Sequence, residues 1–174
     1  MNRWRQLAAD IYETNRSNLW DVTYRADWEN NPWKLAGKIA LIHSEIVEAK
    51  EGADAKDWSN VEEEIADVAI RAMDLLYPLV DNDREWDFLD SVECVYPLDD
   101  EPVSDLLHRF HNLATTALEA IRINNREAMI AAVWHLIGAC SENALHTGDS
   151  LFNKCVEKNN TNKGRGIRHG GKRI

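Results

Sequence analysis

The chain has 174 residues, a length that suits one domain with a substantial core, and helix-forming residues dominate over its 8 glycines and 4 prolines. It contains no run of alternating β-branched residues and no apolar stretch of the length that spans a bilayer, so we expect an all-α protein without a membrane segment. No apolar signal core follows the first residues, and the three cysteines are odd in number and widely spaced. We therefore expect a cytoplasmic protein with reduced thiols, rather than an exported disulfide framework or a zinc site.

The formal net charge of −10 is unevenly distributed along the chain. From Lys154 onward, seven basic residues accompany one acidic residue, which gives this part +6 and leaves −16 for the rest. A general nucleic-acid binder needs its basic patch on the fold, so an acidic body argues against that class. We expect one domain, with a helical body up to about residue 150 and a basic tail over 151–174.

The N-terminal part of the chain combines a helix with a polar, aromatic connection. Residues 1 to about 14 are predicted to form a short amphipathic helix, and 15–32 an irregular segment. Within that segment Trp20 could stack on a nucleobase, and Asn18 could read the edge of the base. The alternative is that its tryptophans cap the helical bundle or fill an oligomer interface.

Two helices with apolar stripes follow this connection. The first is predicted over 32–51, with Gly52 as its C-terminal stop. The second begins at Ser59, an N-cap that forms a capping box with Glu62, and Pro78 ends it.

A second helical pair is expected after a connector over 81–102 that is rich in acids and carries one short helix over 86–92. Its helices cover 104–123 and 127–146, a turn at 124–125 joins them, and Gly148 closes the pair. We interpret it as a degenerate repeat of the first hairpin, which keeps the packing and has no second acidic motif. Together the two hairpins predict a four-helix bundle.

Four acidic residues of the first hairpin form two matched pairs, Glu45 and Glu48 on one helix and Glu64 and Asp67 on the other. Residues three apart share a helix face, so packing the helices together would gather four carboxylates. Such a cluster is unfavourable by itself, and a hard cation such as Mg²⁺ or Mn²⁺ would relieve the repulsion. The alternative is an ordinary solvated acidic face.

Other candidate ligands carry less weight. His108 and His111 are three apart on one predicted helix, without a third nitrogen or sulfur ligand near them in sequence. His43 lies beside Glu45 but on a different face, which is typical of a packing residue. Glu63 falls in the first turn of its helix, where the helix dipole alone explains an acid.

The basic tail carries Lys158, Asn159, Asn162 and Arg165 at a spacing that could line a polyphosphate. Lysine offers a point charge, arginine a bidentate fork and asparagine an amide donor. The alternative is a solubilising tail without a binding role.

Three sequence features together resemble one family: Glu45-x-x-Glu48 followed after fifteen residues by Glu64-x-x-Asp67, the Lys-Asn-x-x-Asn-x-x-Arg segment at 158–165, and the Arg-His-Gly-Gly-Lys ending at 168–172. The chain resembles the all-α nucleoside triphosphate pyrophosphohydrolases, which include MazG-like enzymes and the dimeric dUTPases. The resemblance covers about residues 33–80 and 150–174, and the middle of the chain matches only in helical character.

The resemblance implies Mg²⁺-dependent cleavage of a nucleoside triphosphate between its α- and β-phosphates, which yields the monophosphate and pyrophosphate. It implies that the metal, with Mn²⁺ as a substitute, is held by Glu45, Glu48, Glu64 and Asp67. Glu48 and Glu45 would be the catalytic carboxylates, with Glu48 nearest the attacking water. Substrate binding would fall to Lys158, Asn159, Asn162, Arg165 and, at the base, Trp20. A homodimer or homotetramer is also expected, without a nucleic-acid or membrane partner.

Three other functions fit parts of the pattern. The first is a helical regulatory protein that binds metal or nucleotide without catalysis, and the second is an interaction module that uses the acidic body. The third is a di-iron carboxylate protein, but that design needs Glu-x-x-His motifs on two helices, and this chain has none.

Overall fold

The computed structural model describes residues 2–80, 86, 102–141 and 148–165. These ranges contain helices and no strand, which confirms the predicted all-α class. The helices are α1 (Arg3–Ser17), α2 (Asp27–Asn30), α3 (Pro32–Asp54), α4 (Trp58–Leu76), α5 (Val103–Arg122), α6 (Arg126–Ser141) and α7 (Gly148–Lys163), with a 3-10 turn at Tyr77–Leu79.

The centre of the fold is the predicted four-helix bundle. Helix α3 packs along α4 and α5 along α6, while α3 also contacts α5 and α4 contacts α6. Their apolar stripes meet in one core, whose fully buried members include Ile39, Ile42, Ile46, Ile65, Met73 and Phe110. None of the described helices is both long and apolar enough to cross a membrane.

Helix α1 lies outside the bundle and packs against α4 and α7. Asn2 is its N-cap, because Asn2 Oδ1 accepts hydrogen bonds from the backbone N–H groups of Trp4 and Arg5. The same side chain donates through Nδ2 to the Trp86 carbonyl at 2.9 Å. The helix ends at Ser17, one turn beyond the predicted end near residue 14.

The sharp turn between α3 and α4 differs from the prediction. Gly52 does not end α3, which continues to Asp54, and the chain reverses through Lys56 at φ 58°. A Cβ atom on Gly52 would lie 2.8 Å from Asn60 Nδ2 and 3.2 Å from Val61 Cγ2. Glycine is therefore present here because the start of α4 approaches the α3 backbone closely.

The predicted capping box of Ser59 and Glu62 is also wrong. The N-cap of α4 is Asp57, whose Oδ1 accepts a hydrogen bond from the Asn60 N–H at 3.2 Å. Aspartate and serine are both strong N-caps, so two candidates two residues apart cannot be separated by residue type alone.

The second half of the chain largely follows the prediction. Helix α4 gives way to the 3-10 turn that contains Pro78, and Asn124 adopts φ 55° in the predicted turn between α5 and α6. The connector expected over 81–102 and the short helix over 86–92 lie almost entirely outside the described residues.

Helix α7 was not predicted. Gly148, expected to close the second hairpin, instead begins this helix, which runs to Lys163 and packs against α1, α4 and α6. The first part of the expected basic tail is therefore an integral helix of the fold. Cys140 on α6 and Cys155 on α7 are buried reduced thiols, and burial raises the pKa of both.

Candidate functional site

The candidate site lies where α3 and α4 run side by side. Glu45 and Glu48 extend from α3 and Glu64 from α4, and one carboxylate oxygen of each lies within 4.8 Å of the other two. Glu45 is only 7% exposed, whereas Glu48 and Glu64 are half-buried. Three of the four predicted metal ligands therefore meet at one place.

The close approach of these carboxylates perturbs Glu64 in particular. Its pKa is raised to about 7, first by burial and then by the negative charges of Asp67, Glu45 and Glu48, while Lys158 acts in the opposite direction. The ionised form of Glu64 is therefore disfavoured, because other negative charges lie close to it. A cation placed among these oxygens would remove that penalty.

Asp67, the fourth predicted ligand, is not part of the three-carboxylate group. Its Oδ2 lies 2.7 Å from Lys158 Nζ, so an ammonium group of α7 already neutralises it. On the other side of the cluster, Arg71 of α4 donates through Nε to Glu45. Two side-chain cations therefore flank the carboxylates, and the sequence analysis did not predict either pairing.

Two lysines of α7, one turn apart, pair with acidic residues along the edge of α4. Lys154 Nζ lies 3.0 Å from Glu63 Oε1, and Lys158 Nζ lies 3.3 Å from Glu63 Oε2. Burial by itself would lower the pKa of Lys158, but Asp67 and Glu63 outweigh it and the pKa is raised. The pKa of Glu63 is lowered, chiefly by its hydrogen bond from Lys154. Lys158 is thus a firmly charged ammonium beside the carboxylate cluster.

The other four residues predicted to bind substrate differ in their exposure and in the part of the fold in which they lie. Asn159 is buried on the packed side of α7, at 3% exposure. The Asn162 carbonyl accepts a hydrogen bond from Asn18 Nδ2 at 2.9 Å, which ties the ends of α7 and α1 together. Arg165 is exposed just after α7, and Trp20 lies half-buried in the connection after α1.

The histidines form a contact away from the carboxylates. His43 Nδ1 and His111 Nδ1 are 2.8 Å apart, and the two rings stack with an interplanar angle of 16°. The pKa of each is lowered, for His43 by burial and then by the neighbouring His111. Within the described ranges no third metal ligand joins the pair, so it serves as a packing contact between α3 and α5.

The second hairpin carries no comparable cluster in its described part. Glu119, an acid of α5, is exposed and pairs with Arg122 one turn later on its own helix. The three-carboxylate group therefore belongs to one hairpin alone among the described residues.

Arg71, Lys154 and Glu63 are the charged residues whose role at the site was missed. Their spacing did hold a signal, since Arg71 follows Asp67 by four residues and Lys154 precedes Lys158 by four, which places each on the same helix edge as a predicted site residue.

No protein-family model, no curated protein and no solved structure matches this chain. Its function is therefore inferred from the side chains of the α3–α4 site and the helix beside it.

Proposed function

We propose that the protein is a Mg²⁺-dependent nucleoside triphosphate pyrophosphohydrolase that converts a nucleoside triphosphate into the monophosphate and pyrophosphate. The observation that carries this proposal is the approach of Glu45, Glu48 and Glu64 to within 4.8 Å, with the pKa of Glu64 raised to about 7. The resemblance of the E-x-x-E and E-x-x-D motifs to a family with this activity supports it.

The donor set fits a hard divalent cation. All three converging groups are carboxylates, without nitrogen or sulfur, and such sites favour Mg²⁺ or Mn²⁺ over zinc. Glu45, Glu48 and Glu64 would hold the ion, and Asp67 would join them if Lys158 moved to a phosphate. Mg²⁺ at this place supplies charge neutralisation of the phosphates and a bound water of lowered pKa.

The remaining residues act through their own charges. Lys158 lies at the edge of the cluster, where its ammonium group would bind the departing phosphates, and Arg165 would add a second positive group from the end of α7. Glu48 would accept a proton from the attacking water, with Glu45 oriented beside it by Arg71. Asn159 and Asn162 would hold α7 in position, and Trp20 is proposed to contact the base.

One observation favours a second function, a regulatory protein that binds metal or nucleotide without catalysis. Lys158 and Arg71 already neutralise Asp67 and Glu45 within the protein, so part of the acidic charge is balanced by the fold itself. In such a protein the cluster would sense an ion and no phosphoanhydride bond would be broken.

We also propose that the protein forms a homodimer or homotetramer through the outer side of α3. Trp33 is 84% exposed, and Leu41 and Val47 are exposed on the same helix. Light scattering is expected to give the mass of an oligomer, and Trp33→Ser should shift it toward the monomer. Leu118→Ser, which removes an exposed leucine of α5, is the matched control, and a monomeric wild type would contradict the proposal.

The decisive experiment measures pyrophosphate release with Mg²⁺ over a panel of ribo- and deoxyribonucleoside triphosphates that includes dUTP. Glu48→Gln should abolish turnover, whereas Glu51→Gln, the same change one turn away on the exposed part of α3, should leave it intact. Calorimetric Mg²⁺ binding without turnover would favour the regulatory protein. Neither binding nor turnover would refute both functions.

A further inference from the structure

A line of charged side chains follows the contact between α3 and α4, and we term it the charged seam. Its members, from one end to the other, are Glu48 and Glu64, then Glu45 and Arg71, then Lys38 and Asp74. Glu64 and Asp74 are ten residues apart on α4, which corresponds to about 15 Å along the helix. The seam is thus long enough to contact a whole nucleotide rather than a phosphate group alone.

The Asp74 end of the seam contains one buried oxygen without a partner among the described residues, and the connection fastened to it contains another. Asp74 is 3% exposed, and its Oδ2 lies 2.9 Å from Lys38 Nζ. Within the described part of the chain, neither Asp74 Oδ1 nor the hydroxyl of the fully buried Thr23 has a hydrogen-bond partner. Thr23 follows by two residues Asp21, whose carbonyl accepts a hydrogen bond from the same Lys38. Buried polar atoms are normally paired, so an unpaired oxygen on Asp74 and another in the connection bonded to Lys38 indicate a place for polar atoms from outside the protein.

The connection between α1 and α2, residues 18–26, covers this end of the seam. Lys38 donates to the Asp21 carbonyl, and Lys34 Nζ lies 3.1 Å from both Asp21 Oδ1 and Asp27 Oδ2. Lys34 also lies 4.8 Å from the centre of the Tyr24 ring. Two lysines of α3 therefore hold this connection through polar contacts, and Val22 within it is buried.

Tyr12 of α1 completes the surroundings of this end. Its pKa is raised by burial first, and then by the charges of Tyr24 and Asp74. Its ring lies 5.3 Å from that of Tyr77, so a pair of aromatic rings lies on the Tyr12 side of this end. An aromatic surface next to hydrogen-bonding groups is the environment that nucleobases bind in proteins.

We propose that the Asp74 end of the charged seam is the nucleobase subsite of the same molecule whose phosphates lie at the Glu48–Glu64 end. An N–H group of the base donates to Asp74 Oδ1, and the Thr23 hydroxyl bonds a neighbouring polar atom of the base. This proposal rests on the proposed function for the position of the phosphates. The base enters when the connection over 18–26 lifts, and the substrate is then a nucleotide rather than an inorganic polyphosphate.

The test compares a ligand that carries a nucleoside with one that does not, a non-hydrolysable α,β-imido nucleoside triphosphate and inorganic tripolyphosphate. Binding of both to Thr23→Val is measured by calorimetry with Mg²⁺. The variant keeps the volume of the side chain and removes the hydroxyl, so we expect at least a tenfold weaker Kd for the nucleotide analogue and an unchanged Kd for tripolyphosphate. Asp74→Asn, which places an amide donor where an acceptor stood, should alter the order of preference among bases.

Stability separates a ligand site from a buried water. If the Thr23 hydroxyl is unpaired until a ligand binds, Thr23→Val should raise the Tm of the nucleotide-free protein. If a structural water pairs with that hydroxyl instead, the same substitution should lower the Tm. Thr14→Val is the matched control: the Thr14 hydroxyl donates to the Asp10 carbonyl at 2.7 Å, so its loss lowers Tm and leaves analogue binding unchanged.

The outcomes distinguish this proposal from the proposed function. Pyrophosphate release together with unchanged analogue binding in Thr23→Val would overturn the subsite and leave the enzyme standing. Analogue binding that depends on Thr23 in a protein without turnover would support the subsite and overturn the enzyme. Equal weakening of both ligands, or a lowered Tm, would show a structural role and overturn the subsite.

Discussion

Lys158 Nζ lies 2.7 Å from Asp67 Oδ2, which joins the last described helix to the edge of the carboxylate cluster. Both side chains are largely shielded from water, at 18% and 28% exposure. Because water screens this pair only in part, it contributes more than a surface ion pair and less than a fully buried one. It is one of several polar contacts between α7 and α4, beside those of Lys154 and Lys158 with Glu63.

Replacing Lys158 by methionine keeps most of the side-chain volume and removes the charge. We expect the free energy of unfolding to fall by about 1–3 kcal/mol, because Asp67 then remains beside the other carboxylates without a counter-charge. Urea denaturation measures the loss. Lys154→Met is the control, since among the described residues Lys154 pairs with the more exposed Glu63 and not with Asp67, and its loss should cost less than about 1 kcal/mol. Equal losses in the two variants would contradict a special role for Lys158.

The pH dependence of stability should report the raised pKa of Glu64. In the folded protein this pKa is about 7, against 4.5 for an ordinary glutamate. The folded state therefore holds the proton more tightly, so the stabilising contribution of protonated Glu64 is complete below pH 4.5 and is lost as the pH rises through about 7. In a metal-free buffer, the Tm of the wild type should fall across this window relative to that of Glu64→Gln, whose amide does not ionise.

Mg²⁺ provides an internal check on that pH profile. An ion bound to the ionised carboxylates should raise Tm most above pH 7, where Glu64 has lost its proton, and least at acidic pH. Glu51→Gln, which alters an exposed acid of α3, should keep the profile of the wild type. A parallel profile for Glu64→Gln and the wild type would show that Glu64 has an ordinary pKa.

Glycine-to-alanine substitutions at two positions of α3 should have opposite effects. Alanine at Gly37 meets nothing within 4 Å, so its better helix propensity should stabilise the protein by about 0.5–1 kcal/mol. Alanine at Gly52 would crowd Asn60 at 2.8 Å and Val61 at 3.2 Å, and we expect a net loss of about 1 kcal/mol. Urea denaturation of the two variants measures both values, and a stabilised Gly52→Ala would mean that the turn accommodates a methyl group freely.

The two hydrogen-bonding roles of Asn2 can be separated by substitution. Asn2→Ala removes the N-cap of α1 and the bond to the Trp86 carbonyl, and it should cost about 1–3 kcal/mol. Asn2→Asp keeps an acceptor for the N–H groups of Trp4 and Arg5 and loses the Nδ2 donor that bonds the Trp86 carbonyl. Thermal unfolding should place it between the wild type and Asn2→Ala. An Asn2→Asp protein as unstable as Asn2→Ala would assign the whole effect to the contact with Trp86.

Much of the bundle follows from periodicity in the sequence. The stripe of Ile39, Ile42 and Ile46 is apolar at helical spacing, so it predicts both the helix and its buried face. The same spacing rule predicts that Glu45 and Glu48 share one face of their helix and that Glu64 and Asp67 share one face of the next. Periodicity does not reveal why a glycine occurs at a given position. Both a helix end and a close backbone contact favour glycine at position 52, so the two cannot be separated from the sequence.

Helix α7 was missed for a physical reason. The stripe of α7 at four-residue spacing, Leu151, Cys155 and Asn159, ends in a polar residue, and most of the other side chains are polar or charged. Such a segment forms a helix here because α1, α4 and α6 surround it, which local propensity does not reveal. Since the position of Lys158 depends on that packing, the pairing with Asp67 could not be predicted either.

The pairing of Lys158 with Asp67 also bears on the order in which the protein is assembled. The two residues are separated by 91 positions, whereas α3 and α4 are consecutive helices joined by a short turn. During synthesis the hairpin leaves the ribosome well before α7, so its carboxylates meet before the lysine that neutralises Asp67 exists in the nascent chain. Until α7 arrives, Arg71 within the hairpin pairs with Glu45, whereas a counter-charge for Asp67 has to come from cations outside the chain. The free metal concentration in the cell would then influence how early this hairpin closes, before any substrate is present.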